Sequence, residues 1–300
     1  MLVFSLTLVN ICVKTVNEFL TRNGPQFAAS ISYYALFSLF PLTLAIIFAT
    51  SFFLGPESID GLALRAAEQA PVSQETVSEV LGATLQSRNF AGIAGILGLL
   101  WAGTAVFGAI RKGVNATWGI THPRPFLQER LIDISLMLGA AILMLVSIFS
   151  TAALLYLREI VEFITLGTNV NGEFLSGIWD LLASLIPPTL SLVVFVGLYW
   201  FLPNTKVRMV EALPGAIAAT LAFEGAKYIF VWYVRNYPIY TSVYGSVGSI
   251  VALLVWVYIS ALILLFGSLI TSRYAAYMAS RNIRVESTIM RTNNRKVNYR

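Results

Sequence analysis

What this chain lacks narrows its class before any pattern is read. Cys12 is its one cysteine in 300 residues, so an internal disulfide and a cysteine-rich metal site are both out of reach. His122 is the one histidine, equally poor material for metal or acid–base chemistry. Charged residues make up only 12%, about half the usage of a soluble globular chain. No glycine-rich loop ends in Lys-Ser or Lys-Thr, so a Walker-type nucleotide site is absent and no cofactor is expected.

What is present is apolar. Hydrophobic residues reach 57% and mean hydropathy is +0.75, values that belong to membrane-spanning chains. Six runs are each long enough to cross a hydrocarbon core of about 30 Å. They lie near 27–54, 91–110, 131–157, 179–202, 211–232 and 244–272. The expected fold is an all-α integral membrane protein with a six-span bundle over 27–272. Residues 1–26 read as an amphipathic helix in the membrane interface, with Leu2, Leu6, Val9, Val13, Val16 and Leu20 spaced four and three apart. The connection 55–90 is long and acidic and reads as one or two short helices capping the outer face. Residues 273–300 form a basic tail.

Within the spans, Pro41 interrupts the first, and Pro187 and Pro188 the fourth. Each removes a backbone donor, and the kink is either plain packing or part of a polar path. Small residues recur along the second span at Ala91, Gly95, Gly98, Ala102, Ala105 and Ala109. The fifth repeats the device at Ala212, Gly215, Ala219, Ala222 and Ala226. Such seams let two helix backbones approach closely, the usual basis of helix association in lipid.

Lys and Arg in the connections set the orientation. Fifteen fall in the N-terminal arm, the second and fourth connections and the tail, and four in the remaining connections. The tail alone carries seven, which predicts attraction to anionic lipid headgroups. Both termini are therefore expected in the cytoplasm. Past Tyr274 and Tyr277 at the start of the tail, Tyr299 is the only aromatic among those charges, too little to stack nucleic-acid bases, and no nucleic-acid partner is expected.

The fifth span carries Glu224 and Lys227, three residues apart and so on neighbouring stripes of one helix face. An ionised side chain near a helix centre costs about 2.5–3.5 kcal/mol on insertion, while each large apolar residue returns only about 0.3–0.6. Such a helix needs neighbours that satisfy the pair, and the expectation is that it sits enclosed in the bundle. The pair is either a packing device or the lining of a polar path. Tyr33, Tyr34 and Ser38 in the first span, with Thr104 and Ser191, supply further polar groups at membrane depth.

Five stretches, in order, carry a family resemblance. They are AASISYYALFSLFPLTL at 28–44, WAGTAVFGAIRKGVNATWGI at 101–120, PRPFLQERL at 123–131, FEGAKYIFVWYV at 223–234 and YGSVGSIVALLVWVYISALILLFGS at 244–268. Together they resemble the YihY/BrkB membrane proteins, a family once labelled ribonuclease BN. The resemblance implies a six-span protein of the bacterial inner membrane. Members often carry an acidic residue after the sixth-span glycine; here Gly267 is followed by Ser268 and Leu269, so that carboxylate has no counterpart.

Ribonuclease chemistry finds little support in these residues. The cytoplasmic carboxylates Glu18, Glu129, Asp133, Glu211 and Glu286 are scattered along the chain, and one histidine cannot complete a metal-binding array. No catalytic residues or metal ligands are assigned. The expected function is a transporter-like permease or a lipid or metabolite translocation factor, with the polar site around the fifth span. The alternative is a structural or interaction protein of the envelope, and a homo-oligomer fits either reading.

Overall fold

The computed structural model describes residues 14–54, 88–122, 124–165, 172–236 and 246–297, and among these every regular element is a helix. A helical segment at 14–21 leads into α1 (Gly24–Leu54), followed by α2 (Arg88–Thr117), α3 (Phe126–Thr165), α4 (Gly172–Phe201), α5 (Met209–Asn236) and α6 (Ser246–Val297). The expected outer cap falls outside the described residues up to Arg88, as does the interfacial helix before residue 14.

Among the described residues, four stretches are long and apolar enough to cross a membrane: Phe126–Ser147, Ala183–Phe201, Met209–Asn236 and Ile250–Arg281. α1 and α2 span 31 and 30 residues, about 45 Å at 1.5 Å per residue. Several helices outrun the apolar runs that announce them. α3 begins at Phe126, directly after Pro125, and α6 continues to Val297, where the sequence pattern ends the span at 272. The apolar run marks only the part of a helix that meets hydrocarbon. Between Gly267 and Val297 no glycine or proline stops α6, so the helix carries on into the basic tail for 52 residues in all.

Where a helix does end, the residues explain it. Asn23, at φ 57°, makes the left-handed turn between the 14–21 segment and α1, a conformation asparagine tolerates better than most residues. α2 closes on Gly119, at φ 70°. The Gly119 amide donates to the Ala116 carbonyl and the Ile120 amide to Asn115, both at 2.9 Å, which is the paired bonding of a Schellman cap. α5 opens with the Arg208 amide donating to the Glu211 carboxylate at 2.9 Å, half of a capping box. Pro41, Pro187 and Pro188 all lie inside continuous helices.

α1 packs mainly along α2, and α5 lies between α4 and α6 while α6 also touches α1 and α2. The two seams have different partners. A Cβ on Gly98 would stand 3.1 Å from Pro41, so α2 uses its seam against α1. A Cβ on Gly215 would collide with the Thr271 hydroxyl and the Gly267 carbonyl, so α5 uses its seam against α6. Ala212, Ala216 and Ala219 are buried there with Tyr199, whose hydroxyl donates to the Leu264 carbonyl at 2.8 Å. Ala222, further along the seam, is exposed.

The enclosure expected of α5 is only half realised. Its Ala212–Thr220 face is buried, but Leu221 is 69% and Tyr228 77% exposed on the other. Satisfying two charged side chains requires partners on one stripe of the helix, not on all of it.

The packing predicts a contrast within α5. Gly215→Ala should destabilise by about 1–3 kcal/mol through overpacking against backbone. Gly225→Ala, with no atom within 4 Å of the added carbon, should lose nothing. Thermal unfolding of the two purified variants in one detergent tests this; equal midpoints would mean that α5 and α6 stand further apart.

Candidate functional site

The expected polar residues divide between two places. Glu224 and Lys227 form an ion pair of 2.7 Å on α5, with side chains 19% and 32% exposed. Across from them, Ser191 on α4 lies 3.1 Å from the Glu224 carboxylate and 3.0 Å from the Pro187 carbonyl. Its single hydroxyl proton serves both acceptors, tying the proline-bearing turn of α4 to the charged stripe of α5. The Lys227 ammonium lies 5.4 Å from the centre of the Phe223 ring, within cation–π range. Phe223 in turn touches Phe195 of α4 and Trp256 of α6, and Trp256 also meets Phe230. The charges thus border an aromatic cluster shared by three helices.

Tyr33, Tyr34 and Ser38 belong to α1, which packs on α2 and α6. Ser38 donates to the Ala35 carbonyl of its own helix, as Thr104 does to Trp101. Tyr33 is exposed and its ring meets those of Tyr34 and Phe37. Tyr34 lines a cavity of about 520 Å³ between α1, α2 and α3, opposite Trp101 and Thr104.

That cavity holds a charge cluster that sequence spacing does not single out. Arg111, at the foot of α2, is 3% exposed, and Asp133 on α3 is 2% exposed. The guanidinium donates to both Asp133 oxygens, at 2.9 and 3.3 Å, and pairs with Glu129 at 2.6 Å. Glu129 and Asp133 are four residues apart and so share one face of α3, which is the signal available in the sequence. Gly108, one turn before Arg111, leaves room for the Asp133 carboxylate at 3.4 Å from a virtual Cβ. Arg111 lies just beyond the apolar run of α2. Burial alone would lower its pKa, but the hydrogen bonds and charges of Asp133 and Glu129 reverse this and raise it. Arg124, in the following connection, is lowered by burial and by the nearby charge of Arg111.

A second polar layer closes the same end of the molecule. Arg124 donates to the Asn204 side chain and to the Pro203 carbonyl, both at 2.9 Å. Asn204 is also held by Asn115 and by the backbone of His122, whose ring is exposed. Glu18 of the 14–21 segment accepts from Arg273 of α6 and pairs with Arg22, which also donates to the Thr117 carbonyl. Phe19 packs edge-on against Phe266 beside them. Thr117 and Ser268 share a hydroxyl hydrogen bond of 2.9 Å; Thr117 donates to Val114, so Ser268 is the donor. Ser268 is fully buried. Among the described residues no three His, Cys, Asp or Glu side chains come together as a metal site.

Removing Arg111 tests how tightly the cluster is coupled. Arg111→Met leaves buried Asp133 uncompensated and should cost about 3–5 kcal/mol. Adding Asp133→Leu should recover most of that loss in thermal unfolding, because the uncompensated charge leaves with its partner. Two losses that simply add would show that the residues act independently.

Comparisons with known proteins bear on the chain as a whole. A family model described as virulence factor BrkB matches residues 15–287. A ribonuclease-like protein named YfkH, from Bacillus subtilis (strain 168), is 28% identical over 253 residues, 84% of this chain and 90% of that relative. A UPF0761 membrane protein of Actinobacillus pleuropneumoniae serotype 5b (strain L20) is 29% identical over 261 residues, 85% of this chain and 90% of the relative. Another from Aeromonas salmonicida (strain A449) is 29% identical over 256 residues, 83% of each chain. No solved structure matches. With the family matched along nearly its whole length and several helices apolar enough to meet lipid, this chain belongs to the BrkB family of membrane proteins.

Proposed function

We propose that this chain is a six-span protein of the bacterial inner membrane that acts as a transporter-like permease or a lipid or metabolite translocation factor. The observation that carries the reading is the Glu224–Lys227 pair, bonded to Ser191 on a proline-bearing helix and left partly exposed. A pair serving only to pack two helices would be better sealed. Intramembrane charges that keep some access mark ion or substrate paths more often than packing. The absence of a Walker-type loop leaves such transport passive, ion-coupled or driven by a partner.

Six spans and cytoplasmic termini fit the charge pattern. The N-terminal arm, the second and fourth connections and the end of α6 are bonded to one another through Glu18–Arg273, Arg22–Thr117 and Arg124–Asn204. These are the connections that hold most of the lysines and arginines, so one side of the membrane collects the positive charge. Val16 and Leu20 point away from the bundle on the 14–21 segment, which suits a helix resting in the interface.

The word ribonuclease in one relative's name is not carried over. Two of the cytoplasmic carboxylates, Glu129 and Asp133, do come together, but both are bonded to Arg111 and are not free to hold a metal or activate water. A non-transporting envelope component is the second reading, favoured by the broad apolar outer face of α5.

Two measurements address the proposal. Cysteine labelling of intact cells should reach positions in 57–87 and 165–175 from outside, and positions 116–125 and the tail only from inside. Labelling at 121 from the outer face would sink the topology. For the path, Glu224→Gln with Lys227→Met removes both charges at roughly constant volume. The double variant should fold with wild-type stability and lose activity in complementation or substrate accumulation. A stable double variant with full activity would assign the pair to packing.

A further inference from the structure

The cavity between α1, α2 and α3 has a chemistry of its own. Arg111 is fully engaged by Asp133 and Glu129, and together the three contribute one net negative charge. Lys112 and Arg130 line the same cavity, are exposed, and face no carboxylate in an ion pair among the described residues; Arg130 rests on the Phe126 ring at 5.4 Å. They turn the cavity mouth positive. Moving along α2 from Lys112 to Trp101 covers eleven residues, about 16 Å. Over that distance the lining changes from cations to Ala109, Ala105 and the exposed Trp101, with the Tyr34 ring opposite.

A cavity that is cationic at one end, aromatic and apolar at the other, and bordered by exposed Trp101 and Phe126 is open sideways to the bilayer. A soluble anion would use only its mouth. We infer that this cavity is a binding site for an anionic glycerophospholipid, its phosphate between Lys112 and Arg130 and its chains running over Trp101 toward Tyr34. Basic pockets between helices at the cytoplasmic surface are suited to such headgroups. The buried Arg111 cluster shapes the back wall, since Glu129 and Asp133 fix α3 against α2 with the cations turned outward. The site is separate from the Glu224–Lys227 pair, and a lipid bound here stands whether or not this protein transports anything.

The test is lipid retention by the full-length protein in detergent, read by native mass spectrometry during titration with phosphatidylglycerol and with phosphatidylcholine. Wild type should hold one phosphatidylglycerol in preference to phosphatidylcholine. Lys112→Gln with Arg130→Gln should weaken that first binding roughly tenfold or more. Lys206→Gln with Arg208→Gln, the same charge change in another connection, should leave it unchanged, which also controls for diffuse attraction to the basic tail. Each single variant, Lys112→Gln and Arg130→Gln, should show a smaller loss, so the result does not hang on the folding of the double variant. Equal affinity of the Lys112/Arg130 variant and wild type, or no headgroup preference in wild type, overturns the inference. Displacement of the lipid by millimolar glycerol phosphate or inorganic phosphate also overturns it, because the ligand would then be a soluble phosphate.

Discussion

The close approach of α5 to α6 sets the geometry that the intramembrane charges use. Helices in lipid gain little from excluding water, so association rests on how nearly two backbones can meet. At Gly215 and Gly267 nothing intervenes but hydrogen, and Thr271 and Ala219 fill the flanks. Tyr199 then reaches from α4 to the Leu264 carbonyl, drawing a third helix to the same contact. Ser191 lies eight residues earlier on α4, about 12 Å along its axis, and meets Glu224 there. The charged stripe therefore has partners because a glycine crossing some two turns away brings α4 within reach.

At the other level of order, arginine ties connections together where apolar packing ends. Arg111, Arg124 and Arg273 each bind two or more groups on other parts of the chain, and Arg22 binds the Thr117 carbonyl besides its neighbour Glu18, all using the planar fork that a lysine lacks. These same residues contribute to the positive-inside signal, so a topological label doubles as tertiary structure. The engaged arginines hold that end of the bundle, whereas Lys112 and Arg130 face no carboxylate in an ion pair among the described residues.

How much of this is legible in the sequence varies with the length scale of the cause. The helical class follows from apolar runs of spanning length, and the Gly98 and Gly215 seams from residue size at helical spacing. The Glu224–Lys227 pairing follows from a three-residue offset on one helix. Ser191 is visible only as one hydroxyl among many, most of which bond their own helix, and nothing local marks the one that crosses. Arg111 reads as a topological charge because its partners lie on the next helix. Helix ends at α3 and α6 depart from the apolar runs for another reason: hydropathy reports the solvent around a helix, whereas its end is decided by caps and breakers.

The continuity of α6 has a mechanical side. From Arg273 to Val297 it projects 24 residues past its contact with Glu18, about 36 Å of helix. A helix resists bending far better than a loop, so an angular change within the bundle is carried to that tip. A tilt of about 10° at the Gly267 crossing would displace the far end by roughly 8 Å, since about 45 Å of helix separates the two. The same helix touches α1, α2, α4 and α5, which places its pivot among four other helices. Any change of angle within the bundle is thereby geared to the position of the basic residues along the far part of α6.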